Sequence, residues 1–349
     1  MLCSFIVSLC DTHERRCQGS HVTINLLHMR YTLTILVAIV SLQFGFSQQP
    51  AQYSLYMLNP LGWNPAYAGL DNSLSITGVF RAQWTELEGN PVTQNVSVHM
   101  PLYILSGGIG INVENDELGP EQWTTGTIAY NFQKEIGSNI LAIGASGGIV
   151  QRTIDGSQLR TPEGQYVEPG SINHNDPILP LSSVSAMVPT FNAGVYLMNE
   201  WMEAGVSVRN ITESAAEFDN FNLALKRNFA VNLGFHFDLS QTLSVHPSAL
   251  LRSDLTQTQA DFSVIMRYNN NIFGGASFRG YNTNSADAVA ILAGFKLSEK
   301  LTLAYGYDIT LSDLNLVSNG SHEISLNFNL NKRIGAGRPP AIIYNPRSL

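Results

Sequence analysis

Three histidines on the polar sides of alternating segments are the residues best suited to chemistry: His99, His236 and His246. A histidine that hydrogen-bonds to a serine can serve as the general base of a hydrolase. Such an enzyme would need a serine or histidine cluster at one depth on adjacent strands, and these histidines lack a matching serine motif. Asp238 and Asp308 occupy similar positions, and polar residues are expected inside a barrel in any case. The sequence therefore predicts no catalytic residue and no enzyme.

Other polar positions carry charges of both signs. The arginines and acids concerned are Arg81, Arg252, Arg267, Arg279, Asp238, Asp308 and Glu323. If the segments close into a barrel, these side chains could form a ladder of charges in the lumen. Paired charges that fill the barrel are the first interpretation, and a selectivity filter is the second.

The stretch "VENDELGPE", residues 113–121, collects four acids close together and invites a calcium interpretation. It lacks the alternating acids and the terminal glutamate of an EF-hand loop. We therefore expect a structural turn at Gly119 and Pro120. The stretch "INHND", residues 172–176, has one histidine and one aspartate, too few for a metal site. No metal or other cofactor is predicted.

The elements that must position these residues alternate with a period of two. In "HEISLNFNLN", Ile324, Leu326 and Phe328 alternate with Glu323 and Ser325, which indicates a strand with one apolar and one polar face. About fourteen such segments occur, near residues 73–84, 92–100, 106–114, 121–134, 139–152, 190–199, 200–209, 226–239, 242–252, 257–268, 271–280, 287–298, 300–310 and 321–331. Most are long enough for a tilted membrane strand, which needs roughly 9–11 residues.

The connections between these segments fall into two alternating classes. The longer ones are 153–189, 210–225, 281–286 and 311–320, and the tight ones are 199–200, 240–241, 269–270 and 299. Outer-membrane barrels combine long outer loops with short periplasmic turns. An even strand count with a periplasmic start also returns the C-terminus to the periplasm.

The composition of the two faces indicates which one meets lipid. One face is bulky and apolar, whereas the other carries glycine, serine, threonine and asparagine, the inverted pattern of an outer-membrane barrel. Aromatic residues at or near strand ends would form interfacial girdles: Trp84, Trp123, Trp201, Tyr130, Tyr196, Tyr268 and Tyr281. We predict an all-β fold, a transmembrane antiparallel up-and-down β-barrel of about 14 strands.

The N-terminal region predicts export. Residues 29–47 have the positive start and apolar core of a signal peptide. We expect residues 1–28 to be a mis-called start or an extended n-region. All three cysteines, Cys3, Cys10 and Cys17, precede Met29, so neither a disulfide scaffold nor a cysteine metal site is available. The net charge of −8 gives no electrostatic footprint for nucleic acid.

The predicted mature chain has three parts: a plug segment at 48–72, the barrel at 73–332 and a periplasmic tail at 333–349. The plug segment contains "YSLYMLNPLGWNPAYAGL", in which Pro60 and Pro65 bias Asn59 and Asn64 away from helical geometry. Its aromatic residues nevertheless need burial. We expect this stretch to pack on the periplasmic side as a lumen plug or docking strap, or to cover the barrel base as an ordered terminus.

Several motifs resemble the PorP/SprF family of Bacteroidetes, membrane proteins of the type IX secretion system. They are "YSLYMLNPLGWNPAYAG", "FRAQWTELEGNPVTQNVSVHMPL", "GIGINVENDELGP", "YGYDIT" and "GSHEISLNF". The positions that carry the resemblance are Asn59, Pro60, Asn64, Pro65, Ala66, Tyr67 and Gly69 at the start, Arg81, Gln83 and Trp84 in the first strand, Asn115, Asp116, Gly119 and Pro120 in a loop, and Tyr305, Tyr307 and Asp308 in a late strand. The resemblance attaches no catalytic role to any of them.

The resemblance implies an outer-membrane component of the secretion or gliding machinery that binds or anchors a secreted, adhesin-like surface protein. Its partners would be outer-membrane lipid, machinery proteins and that exported protein, with no nucleic acid. The residues alone leave a porin-like or hydrophobic-solute channel open as the alternative.

Overall fold

The computed structural model describes residues 51–166, 172–218, 221–281, 286–332 and 334. The predicted signal peptide at 29–47 and the segment 1–28 lie outside the described residues, as does most of the predicted tail.

The described residues form a closed antiparallel barrel of fourteen strands, which confirms the predicted fold. The strands are β1 Ser75–Ala82, β2 Val92–Leu102, β3 Gly107–Leu118, β4 Glu121–Ile136, β5 Asn139–Asp155, β6 Ser183–Met198, β7 Met202–Arg209, β8 Asn228–Phe235 continued by Phe237–Asp238, β9 Leu243–Ser253, β10 Thr258–Tyr268, β11 Ile272–Arg279, β12 Ala288–Ser298, β13 Leu301–Thr310 and β14 Ser321–Asn329. Each strand pairs with the next along the chain, and β1 pairs with β14 to close the ring.

The faces of the strands follow the predicted parity. In β14, Ile324 and Leu326 point outward and are exposed, whereas Glu323 and Ser325 are buried in the lumen. The same inside-polar pattern recurs in β1, where Phe80 faces outward beside the buried Arg81. An exposed belt of large apolar side chains suits contact with lipid and not with water.

The connections lie at two opposite ends. The long-loop end carries 83–91, 119–120, 156–182, 210–227, 254–257, 280–287 and 311–320, and the short-turn end carries 103–106, 137–138, 199–201, 239–242, 269–271 and 299–300. At the long-loop end a small hairpin pairs Ala215–Glu217 with Asn222–Ala224. Its Ala216 packs with Val150 and Val188 in a small apolar cluster.

Strands β4, β5 and β6 are longer than the sequence predicts, at 16, 17 and 16 residues. At the long-loop end their outward positions become polar, as at Thr124 and Ser185. Because such residues do not suit the hydrocarbon, this wall continues beyond the lipid-facing belt.

The sequence predicts Asn115 and Asp116 in a loop, but they lie within β3 and pair with β4. Only Gly119 and Pro120 form the turn, with Gly119 at φ +56°.

Two of the girdle predictions are wrong. Tyr196 is fully buried in the lumen, and Trp123 faces inward, where the Arg152 guanidinium lies 4.2 Å from its ring centroid. Both occupy inward-facing strand positions, which proximity to a strand end does not reveal. Trp201, Tyr268 and Tyr281 are exposed at strand ends. Among the described residues no helix is long and apolar enough to cross a membrane.

Candidate functional site

Residues 51–72 lie inside the barrel, and we call them the plug. Their hydrogen-bonding partners, in chain order, descend from the long-loop end to the short-turn end: Arg252 and Gln259, then Ser248, Asn95 and Ser97, then Asn131 and finally Asn329. The plug thus spans the lumen, whereas the sequence predicts that it packs on the periplasmic side. The lumen is the one place where an uncharged aromatic segment can be buried on all sides.

Proline and asparagine shape the plug locally. Pro60 and Pro65 begin two short 3-10 turns, and the residues before them, Asn59 and Asn64, have φ near −136° and −137°. Asn64 accepts a hydrogen bond from the Ala66 N–H and donates to the Val195 carbonyl of the wall. Asn64 therefore caps its turn, and the side chains of both asparagines attach the plug to the barrel wall.

The plug approaches the barrel wall closely at glycines. A β-carbon on Gly144 would lie 2.5 Å from the Ala66 Cα, and one on Gly108 would lie 2.0 Å from the Ala68 carbonyl oxygen. Next to this contact, the Asn131 amide donates to the backbone carbonyls of Ala66 and Ala68. Glycine in the wall is thus required by the plug backbone itself.

The plug and the wall share one apolar core. Leu55, Tyr56, Met57, Trp63 and Tyr67 of the plug are buried. Their cluster includes inward-facing wall residues, among them Ile140, Leu250, Ile265, Phe273 and Leu292. The prediction that small and polar side chains fill the lumen is therefore wrong in this part, because the apolar plug needs apolar contacts.

The charge ladder exists as a buried network near the long-loop end. Arg81 pairs with Asp308 at 2.7 Å and with Glu323 at 2.8 Å. Arg279 pairs with Asp308 at 3.1 Å and with Asp261 at 2.8 Å. Arg252 also pairs with Asp261, at 3.1 Å. Buried charges require such pairing, because an isolated buried charge is strongly unfavourable.

This network holds the first residues of the plug. The Ser54 N–H and the Leu55 N–H donate to the Glu323 carboxylate at 2.7 and 3.0 Å. The Ser54 hydroxyl also bonds to Asp308 and accepts from Arg81 and Arg279. The Arg252 side chain donates to the Ala51 carbonyl as well, so the network is a clamp that joins the plug to five strands of the wall.

Tyr53 makes a separate contact beside the clamp. Its hydroxyl donates to the Glu114 carboxylate at 2.7 Å. Burial, followed by the nearby Glu114 charge, raises the pKa of Tyr53 well above its usual range. The phenol therefore remains a neutral hydrogen-bond donor over the physiological range.

Of the remaining residues singled out in the sequence, some join the plug site and others do not. Tyr67 and Gly69 both lie beside His99, whose Nδ1 accepts from the Gly69 N–H. Gln83 and Trp84 follow β1 rather than belonging to it, and Trp84 has φ +50°.

In β13, Tyr305 and Tyr307 face outward next to His322 while Asp308 faces the clamp. Arg267 and Asp238 lie toward the short-turn end, away from the clamp, where both are opposite Ser244.

Asp261 is a clamp residue that the sequence alone does not single out. It bonds both Arg252 and Arg279 and is fully buried. The alternation in its strand, "TQADFSVIMRY", does indicate that Asp261 faces the lumen. Asp261, Ser263 and Arg267 lie on the polar, inward face, and Phe262, Val264 and Met266 lie on the apolar, outward face.

A closed fourteen-stranded barrel with an outward apolar belt defines an outer-membrane β-barrel protein. The chain belongs to the PorP/SprF family of type IX secretion system membrane proteins, whose family model matches residues 45–328. No curated protein matches the sequence.

Solved structures of similar architecture are outer-membrane barrels. Omp33 of Acinetobacter baumannii has 8% identity and a TM-score of 0.43, covering 74% of this chain and 98% of its own. The toluene transporter TbuX of Ralstonia pickettii has 10% identity and a TM-score of 0.44, covering 78% and 92%. The monoaromatic hydrocarbon channel CymD has 12% identity and a TM-score of 0.44, covering 80% and 94%. At these values the likeness concerns architecture and carries nothing about substrates.

Proposed function

We propose that this protein is an outer-membrane anchor of the type IX secretion or gliding machinery that acts by binding an exported partner. The observation that carries this proposal is the clamped plug, which occupies the lumen from Ala51 to Asp71. A filled lumen suits a scaffold better than a solute channel. The family membership supports an association with secretion machinery.

In this proposal the long-loop end faces the cell exterior, as is usual for outer-membrane barrels. The loop between β5 and β6 would hold the exported protein, since Ile178 and Leu181 are exposed apolar residues on it. The short turns would face the machinery in the periplasm. One of them, Tyr103–Leu105, exposes Ile104 and Leu105.

The two binding ends can be separated by paired variants. We expect the double variant Ile178→Asp, Leu181→Asp to lose the exported protein in affinity purification from outer membranes while retaining machinery proteins. The matched double variant Ile104→Asp, Leu105→Asp should show the opposite loss. Heat-modifiable migration on gels would verify that both barrels fold. Unchanged co-purification for both variants would refute the assignment of these surfaces.

The orientation predicts which end of the plug can be labelled from outside. We expect Ala51→Cys to react with a membrane-impermeant maleimide in intact cells and Asn72→Cys to react only after permeabilisation. The predicted mature chain has no cysteine of its own, so each thiol is unique. Leu255→Cys at the long-loop end and Ile104→Cys at the short-turn end, 79% and 91% exposed, are the matched controls. Labelling of Asn72→Cys alone in intact cells would reverse the orientation.

A further inference from the structure

A serine and two histidines meet at the short-turn end of the lumen, away from the clamp. The Ser244 Oγ lies 2.8 Å from the His246 Nε2, and the His246 Nδ1 lies 2.9 Å from the His236 Nδ1. Ser244 and His246 are buried on β9, and His236 lies beside them at the break between the two parts of β8. This is the cluster at one depth on adjacent strands that a barrel hydrolase requires.

The local structure fixes His236 in this position. The residues on either side of it, Phe235 and Phe237, stack on each other at 6.0 Å between ring centroids, and Phe235 also stacks on Trp201. The His236 N–H donates to the Trp201 carbonyl oxygen. Since the aromatic residues occupy the outward face, His236 is directed inward toward His246.

We infer that Ser244, His246 and His236 form a nucleophile, base and orienting group for hydrolysis of an acyl ester. The nitrogen assignments match those of hydrolytic triads, in which Nε2 faces the serine and Nδ1 faces the third member. With a hydrogen on its Nδ1, His246 donates to His236 and accepts from the Ser244 hydroxyl. A nucleophile bonded to a base that is itself oriented is the general signature of such a site.

Arg267 supplies the electrostatic part of the site. It is paired directly opposite Ser244 in the register of β9 and β10, and its side chain faces the lumen. Directly opposed residues have β-carbons about 4.5–5.5 Å apart, so the guanidinium can reach an oxygen bound next to Ser244. A fixed positive group stabilises the oxyanion that forms when a serine attacks a carbonyl. Asp238 is also opposite Ser244, on β8, but it is exposed to solvent, which screens its negative charge.

In the first step, the Ser244 Oγ bonds to the carbonyl carbon and its proton passes to the His246 Nε2. The ester C–O bond then breaks, and the alcohol leaves with that proton. Water attacks the acyl-serine, gives its proton to His246, and releases the carboxylic acid as Ser244 recovers its hydrogen. Because Ser244 adjoins the turn at 239–242, the ester would enter from the short-turn end.

A fluorophosphonate probe tests this inference with the full chain in detergent, because it phosphonylates an activated serine with loss of fluoride. We expect labelling at Ser244 by peptide mapping, none in Ser244→Ala, and labelling slowed about 100-fold or more in His246→Gln, the usual contribution of a general base. In the Ser244→Ala and His246→Gln variants, the rate of p-nitrophenyl butyrate hydrolysis should fall together with the labelling. Ser263→Ala, which removes a lumenal serine that donates to Ser277 of the same wall, is the matched control and should label normally.

His236 is a positioning residue and needs a separate readout. In the His236→Asn variant the new amide oxygen would lie where the imidazole Nδ1 lies, two bonds from Cβ, so this variant should keep most of the labelling while His236→Leu loses it. A purely structural role would not follow this order, and thermal unfolding would show whether each variant folds. Absence of labelling in the folded wild-type protein, or equal labelling in Ser244→Ala, would overturn the inference.

Discussion

Replacing Arg81 with leucine is expected to release the first residues of the plug and to lower the free energy of unfolding by about 3–5 kcal/mol, the usual effect of removing one partner of a buried ion pair. The side chain is fully buried and contacts two carboxylates, Asp308 and Glu323, together with the Ser54 hydroxyl. Without the Arg81 guanidinium, Asp308 and Glu323 would both lose the cation that they share. Urea unfolding of the protein in lipid vesicles would measure the change in stability, and maleimide reactivity of Leu55→Cys, a position buried in the clamped plug, would measure release of the plug.

The clamp predicts a contrast with an exposed ion pair of the same chain. Arg227 and Glu213 are 3.2 Å apart at the long-loop end, with side chains 40% and 50% exposed. Solvent screens such a pair, so Arg227→Leu should change stability by less than about 1 kcal/mol. Arg81→Lys keeps the charge but cannot bond two carboxylates through a planar fork, and we expect an intermediate loss. Equal effects of Arg81→Leu and Arg227→Leu would contradict the clamp.

The barrel was predictable because its wall obeys one simple rule. Every strand has lipid on one side and the lumen on the other. The residue type alone therefore predicts that Ile324 faces lipid and that Glu323 faces the lumen. The rule weakens where the environment changes. The long-loop ends of β5 and β6 carry polar residues outward, as at Ser185, and a lipid-based criterion assigned them to a loop.

The site was harder to predict because its partners are distant in sequence. Alternation predicts that Arg81 and Asp308 face the lumen. It does not predict their depth along the barrel axis or their neighbours, because these depend on the pairing register of separate strands. The plug has no periodicity, so its proline and aromatic content indicated burial without indicating a direction. The sequence does not single out Ser244, because its role depends on two histidines, one of which follows another strand.

Deleting residues 51–70 is expected to convert the protein into an open channel. The wall closes through β1 and β14 without the plug, so the barrel should still form. Removing the plug would expose Leu250, Phe273 and the clamp side chains to water. Barrels of slightly larger strand number enclose aqueous channels, and we expect single-channel conductance in planar bilayers to rise about tenfold or more.

A point variant distinguishes the effect of removing the plug from the effect of destabilising the barrel. Gly144→Val would push directly on the Ala66 backbone while leaving the chain complete, because even a β-carbon there would lie 2.5 Å from Ala66 Cα. We expect it to lower thermal stability but to conduct far less than the deletion, since the clamp at Ser54 still holds the other end. If the complete protein already conducts as well as the deletion variant, the plug does not close the lumen, and the channel interpretation takes the place of the anchor.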